Sequence, residues 1–124
     1  DYYTGTIIAS DKFIKENPEK LQKFLTAYYK VHELVKNEYF DEFITWAAKE
    51  MNVTEDVMRD AVESEIDVWL DYPVIPTDRV ETTLDILVDY GWQEDKIDDL
   101  SKIIDNSFAE EAAKELNMSD PLAK

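Results

Sequence analysis

Apolar residues recur at helical spacing along most of this chain and read as extended structure only near its start. Tyr2 to Ala9 has the look of a buried β-strand. Ser10 then caps a short helical piece, Asp11 to Glu16, and Asn17-Pro18 restarts the helix. In the long helix that follows, Leu21, Phe24, Leu25, Tyr28, His32 and Val35 define one buried face, widened by Tyr29, Val31 and Leu34. A second helix is predicted from about Tyr39 to Met51, with Phe40, Phe43, Ile44, Ala47 and Met51 as its stripe. Thr54 caps a third, Glu55 to about Ser64, with Val57, Met58, Ala61 and Val62 inside.

The pattern changes at Glu65. The run to Pro76 alternates polar and apolar residues and ends in two prolines, which predicts an extended segment or short edge strand. Thr77 is the expected cap of the next helix, Asp78 to Tyr90, whose inward positions are Val80, Leu84, Leu87 and Val88. Gly91 sits where a left-handed residue ends a helix. Ile97 to Asp105 and Phe108 to Leu116 predict two short final helices. The chain therefore divides into an N-terminal strand segment, residues 1–10, a helical part, 11–116, and a tail, 117–124, within one segment of 124 residues.

The opening strand is the odd part. A lone strand cannot pair its own backbone donors and acceptors. Its partners must come from elsewhere in the polypeptide, from a second copy or from another protein.

Composition narrows the function classes. Hydrophobic residues make up 44%, enough for a core, and 12% are aromatic, which argues against disorder. Thirteen basic against 29 acidic residues leave a net charge of −16. Such a chain repels nucleic acid and anionic membrane surfaces. The charge serves solubility, as in an extracellular or salt-rich setting, or docks a basic partner. Two glycines, Gly5 and Gly91, cannot build a phosphate-binding loop, and the absence of cysteine excludes disulfides and thiolate zinc sites.

Catalytic constellations are not found. His32 is the single histidine and lies on the apolar face of the long helix, where a packed, hydrogen-bonded role is expected. Neighbouring carboxylates such as Asp98-Asp99 and Glu110-Glu111 do not face one another on a helix, so they read as solvated charges. The acidic run Asp89 to Asp99 lacks the spacing of a calcium-binding loop. No enzyme activity, cofactor or metal is expected. Aromatics are the remaining candidates for ligand contact. Trp46 reads as core and Trp92 as a lid on a helix end, whereas Trp69 and Tyr72 lie in the extended, proline-bounded segment, where they can border a cleft.

A strand ending in Ala9-Ser10 is followed by Phe13, Asn17-Pro18-Glu19 and a long helix through Phe24-Leu25-Thr26-Ala27-Tyr28. Downstream come Trp46-Ala47-Ala48-Lys49-Glu50, the helix Val80 to Gly91, Ile97-Asp98-Asp99-Leu100, and Asp105-Asn106-Ser107-Phe108. In this order the chain resembles the C-terminal portion of the solute-binding proteins that serve ABC importers for nitrate, sulfonates, taurine and thiamine-precursor pyrimidines. The resemblance implies a mostly α part of an α/β fold: an N-terminal crossover strand, then five to six helices, within a two-lobe periplasmic-binding-protein-like architecture. It implies a non-enzymatic protein, periplasmic or extracellular and membrane-anchored through an upstream segment. That protein captures a small-molecule solute by lobe closure and delivers it to an ABC permease. Tyr2, Tyr3, Thr4 and Gly5 would then sit near the hinge, with Trp69 and Tyr72 at the cleft, and the strand would join a sheet from an absent N-terminal lobe. The alternative is a self-standing acidic helical interaction module whose strand pairs with a partner or a second copy.

Overall fold

The computed structural model describes residues 5–66, 69 and 72–119. Six helices run in the order α1 (Asp11–Glu16), α2 (Pro18–Asn37), α3 (Phe40–Met51), α4 (Glu55–Glu65), α5 (Thr77–Asp89) and α6 (Ser107–Glu115). Among the described residues the structure is mostly helical, with 68% of them in helix.

Local chemistry accounts for most of these boundaries. The Phe13 N–H donates to Ser10 Oγ at 3.2 Å, which starts α1. The Val57 N–H donates to Thr54 Oγ1 at 3.4 Å, which starts α4. Pro18 occupies the first turn of α2. Asn17 flanks that helix without capping it, because its Oδ1 accepts from Lys20 Nζ at 2.8 Å instead. Asn52, at φ +55°, closes α3 in the left-handed region, and Gly91, at φ +71°, follows α5 as its position predicted.

The main interface joins α2 to α6, and α3 packs on α4 and α2. Leu21 and Leu25 of α2 meet Ala112 of α6, with Ala9, Ile14, Tyr29 and Phe108 packed around them. Three small residues, Ala109, Ala112 and Ala113, are buried and let the two backbones approach. Polar contacts lie along the same seam. Gln22 Nε2 donates to the Phe108 carbonyl at 3.1 Å, and Thr26 Oγ1 donates to Glu115 Oε2 at 2.7 Å. Ile44, Ala47 and Ala48 of α3 and Val62 of α4 are buried as well, on two helices that pack together. Arg59 ties these two helices by donating to Asp41 at 2.6 Å while its guanidinium lies 5.3 Å from the Phe40 ring.

Several expectations are corrected. The strand predicted over 2–9 is not found among the described residues: 5–9 form no strand, and residues 2–4 lie outside them. The described residues contain no strand at all, so 5–9 have no ladder to join and the α/β part of the predicted fold is not found among them. The edge strand predicted over 65–76 is also missing. Glu65 ends α4, Ile66 continues its backbone turn, and 72–76 form no regular element; residues 67, 68, 70 and 71 lie outside the description. Thr77 is the first residue of α5 rather than its cap, which is Pro76. The helix predicted over 97–105 shrinks to one 3-10 turn, Leu100–Lys102. There Asp99 Oδ1 accepts from both the backbone N–H and the hydroxyl of Ser101, a local pairing that competes with helix.

Two buried faces are also redrawn. Phe24 and Tyr28 are about half exposed, because α6 docks on the side of α2 that carries Leu21, Gln22 and Leu25. Trp46 is 59% exposed rather than core, and Trp92 is 77% exposed, with its ring beside Tyr90 instead of covering the helix end.

Candidate functional site

A cavity of about 360 Å³ lies beside the α2–α6 seam. Its floor is Leu21, Leu25 and Tyr29 of α2 with Phe108 and Ala109 at the start of α6. Residues 5–9 and Ile14 form one part of the wall; Val80, Thr83 and Leu84 of α5 form another. Pro73, Ile75 and residues 103–106 close the end between α5 and α6.

One side chain holds that end together. Asn106 Oδ1 accepts from the Ile75 N–H at 2.9 Å, and Asn106 Nδ2 donates to the Ile75 carbonyl at 3.1 Å. The amide thus gives Ile75 the two bonds that a neighbouring strand would give. Asn106 consequently does not cap α6, although it precedes it. Asp105 takes over that end: its Oδ1 accepts from the Ser107 N–H at 3.0 Å and from the Ser107 hydroxyl at 2.6 Å. A carboxylate at a helix N-terminus also offsets the positive end of the helix dipole.

The lining is apolar with few polar groups. Among the described residues on the lining, Asp105 is the one formally charged side chain, and no Lys, Arg or His takes part. Thr83 Oγ1 donates back to the Arg79 carbonyl at 2.8 Å. Among the described residues no group of three or more potential metal ligands is found.

The residues singled out from sequence fall in different places. Gly5 lines the cavity. Tyr2, Tyr3 and Thr4 lie outside the described residues. Trp69 is half-buried 5.1 Å from the His32 ring, which also stacks on Tyr28 at 6.2 Å. Tyr72 is half-buried as well, yet neither it nor Trp69 is part of the cavity lining; the adjacent Pro73 is. The structure therefore does not bring Gly5, Trp69 and Tyr72 together around this cavity. His32 is packed among aromatics, away from the cavity lining.

Sequence reasoning missed Asn106, Asp105 and the α5 wall. The Asp105-Asn106-Ser107 run carried a usable signal, since consecutive Asp, Asn and Ser before an apolar helix are capping residues. That Asn106 would turn away to hold a loop 31 positions earlier is a tertiary fact.

Among known families, the NMT1/THI5-like model matches residues 1–38. The match covers the N-terminal segment, α1 and α2, and so includes the wall at 5–9 and the floor at Leu21, Leu25 and Tyr29. It lends loose support to the nitrate, sulfonate and thiamine-precursor binding group and does not bear on which portion of such a protein this chain represents. Comparison with curated proteins and with solved structures gave no match. Over its first 38 residues the chain resembles the NMT1/THI5-like family, which hints at solute binding.

Proposed function

We propose that this chain is the C-terminal part of the substrate-binding component of an ABC importer, a non-enzymatic protein that captures a small solute by lobe closure and delivers it to a permease. The observation that carries this reading is the family match over residues 1–38, which coincides with one wall and the floor of the cavity. On this reading residues 5–9 enter a sheet contributed by the rest of the protein, which gives the segment the ladder it lacks here and restores the α/β fold. A periplasmic or extracellular place, with a membrane anchor upstream, fits the net charge of −16 and the absence of cysteine.

Thermal-shift screening of the gene-encoded protein against nitrate, taurine, alkanesulfonates and aminopyrimidines tests the proposal. A ligand at 100 times its Kd stabilises the folded state by about 2.7 kcal/mol, a readily measured shift. An open reading frame with no α/β lobe, together with no stabilisation by any solute, would sink it.

A second reading is a helical interaction module, favoured by apolar side chains exposed outside the cavity: Trp46 and Met51 on α3, and Val57 on α4. Sedimentation analysis separates the two. Self-association abolished by Trp46→Ser, without any solute response, would favour the module.

A further inference from the structure

We infer that the outer face of α3, centred on Trp46, docks a basic segment of another protein, one of whose arginines or lysines lies over the indole between Glu42 and Glu50. The inference goes beyond the solute-binding reading and concerns a different surface. α3 has two unlike sides. Ile44, Ala47 and Ala48 are buried. Trp46 projects from the other side of the helix and is exposed, with its ring 6.2 Å from that of Phe43. Tyr39, one turn before Phe43, is exposed as well. Glu42 and Glu50 are exposed one turn to either side of Trp46, in a single i, i+4 row. An indole face attracts a cation, and the two carboxylates supply its counter-charge. None of Tyr39, Phe43 and Trp46 lines the cavity.

Charge identifies the occupant. Acidic side chains are not spread evenly along the chain. Residues 1–37 hold five acidic and six basic side chains. Residues 38–66, which form α3 and α4 with their flanks, hold nine acidic and two basic, a net charge of −7. Of those two cations, Arg59 is already held by Asp41 and Glu63. Lys49 is exposed on α3 one turn after Trp46, and among the described residues no ion pair joins it to Glu42 or Glu50. The face therefore offers exposed aromatic surface inside an excess of uncompensated negative charge. A basic segment gains from both, and the field steers its approach. Aromatic anchors covered by a partner carry much of the energy of such interfaces. A second copy would bring its own net charge of −16, which opposes it as an occupant.

Two helical peptides of equal length test this, both with leucine on one face, one with arginine and the other with glutamate on the opposite face. Each is titrated into the isotope-labelled, gene-encoded protein. The arginine peptide is expected to shift the Trp46 indole N–H and the amides of Phe43 and Glu50, and the glutamate peptide to shift none of them. Trp46→Ser should weaken the arginine peptide at least about tenfold with the helical circular dichroism unchanged, since the ring is exposed. Glu42→Gln with Glu50→Gln should weaken it about fivefold. Glu110→Gln with Glu111→Gln removes the same charge from α6 and should change binding by less than about twofold. Equal losses in the two double variants would reduce the effect to net charge and overturn the inference. Unchanged binding by folded Trp46→Ser, shifts at Trp92 in place of Trp46, or no binding of the arginine peptide would overturn it too. So would a dimer of the protein alone that Trp46→Ser dissolves, because a second copy would then be the occupant. Solute stabilisation should be the same in Trp46→Ser, so loss of docking with solute binding intact removes this inference and leaves the transport reading standing.

Discussion

The last two regular helices have similar amphipathic patterns and very different surroundings. α6 is nine residues long, and its Ala109, Ala112 and Ala113 are buried against α2. α5 is longer, at 13 residues, yet none of its residues is buried and it shares no extensive interface with any other helix. Val80, Leu84, Leu87 and Val88 are only partly buried, with Val80 and Leu84 facing the cavity. The difference lies in what meets the stripe. Small side chains on α6 let α2 approach closely enough for Gln22 and Thr26 to bond across the seam. α5 has larger side chains and no facing helix; the Asn106–Ile75 pair, just ahead of its first turn, ties the preceding loop to the base of α6. An apolar stripe states which face a helix would bury, and only the facing surface decides whether it does.

The contrast can be broken from either side. Leu25→Ala removes buried contacts at the α2–α6 seam and should destabilise the fold by about 3 kcal/mol, read as a lower urea midpoint. Asn106→Ala leaves the partly buried N–H and C=O of Ile75 without partners and should cost about 2 kcal/mol. It should also raise hydrogen exchange selectively at Ile75 and in the first turn of α5. Uniform exchange across α5 and α6 in that variant would show that the two helices are already a single cooperative unit.

How much of this was legible depended on range. Ser10, Thr54 and Gly91 were readable because each acts on backbone within a few residues. The α2–α6 seam was not readable from apolar periodicity, since two of its ties, Gln22 and Thr26, are polar and look like solvent-facing positions. Phe24 and Tyr28 misled for the complementary reason: large aromatics at helical spacing suggested a buried face, and α6 docked to one side of them. The cavity was illegible because segments from both ends and the middle of the chain build it. Gly5 was found on its wall, while Trp69 and Tyr72 were chosen for lying in a loop, which says nothing about which way that loop faces.

Smaller effects sharpen the comparison on the α5 side. Leu87→Ala should cost about 1–2 kcal/mol, less than Leu25→Ala, because the side chain is only partly buried. A loss as large as that of Leu25→Ala would mean that α5 is packed as tightly as α6.

The smallest effect concerns the ion pair of Lys96 with Asp85, which joins α5 to the loop that follows it. The hydrogen bond and charge of Asp85 raise the Lys96 pKa above its ordinary 10.5. A base whose pKa is raised on folding binds its proton more tightly in the folded state. Its contribution is therefore complete below the unfolded pKa and is lost as pH rises through the folded one. Both side chains are more than half exposed, so solvent and salt screen the pair and the effect is small. Urea midpoints should fall slightly more steeply in the native chain than in Lys96→Met as pH rises from about 9 to about 12. Because the pair ties α5 only to its own trailing loop, the Asn106-dependent exchange difference between α5 and α6 should be the same in both proteins. If Lys96→Met changes that difference, the loop after α5 also helps to hold the helix against the rest of the fold.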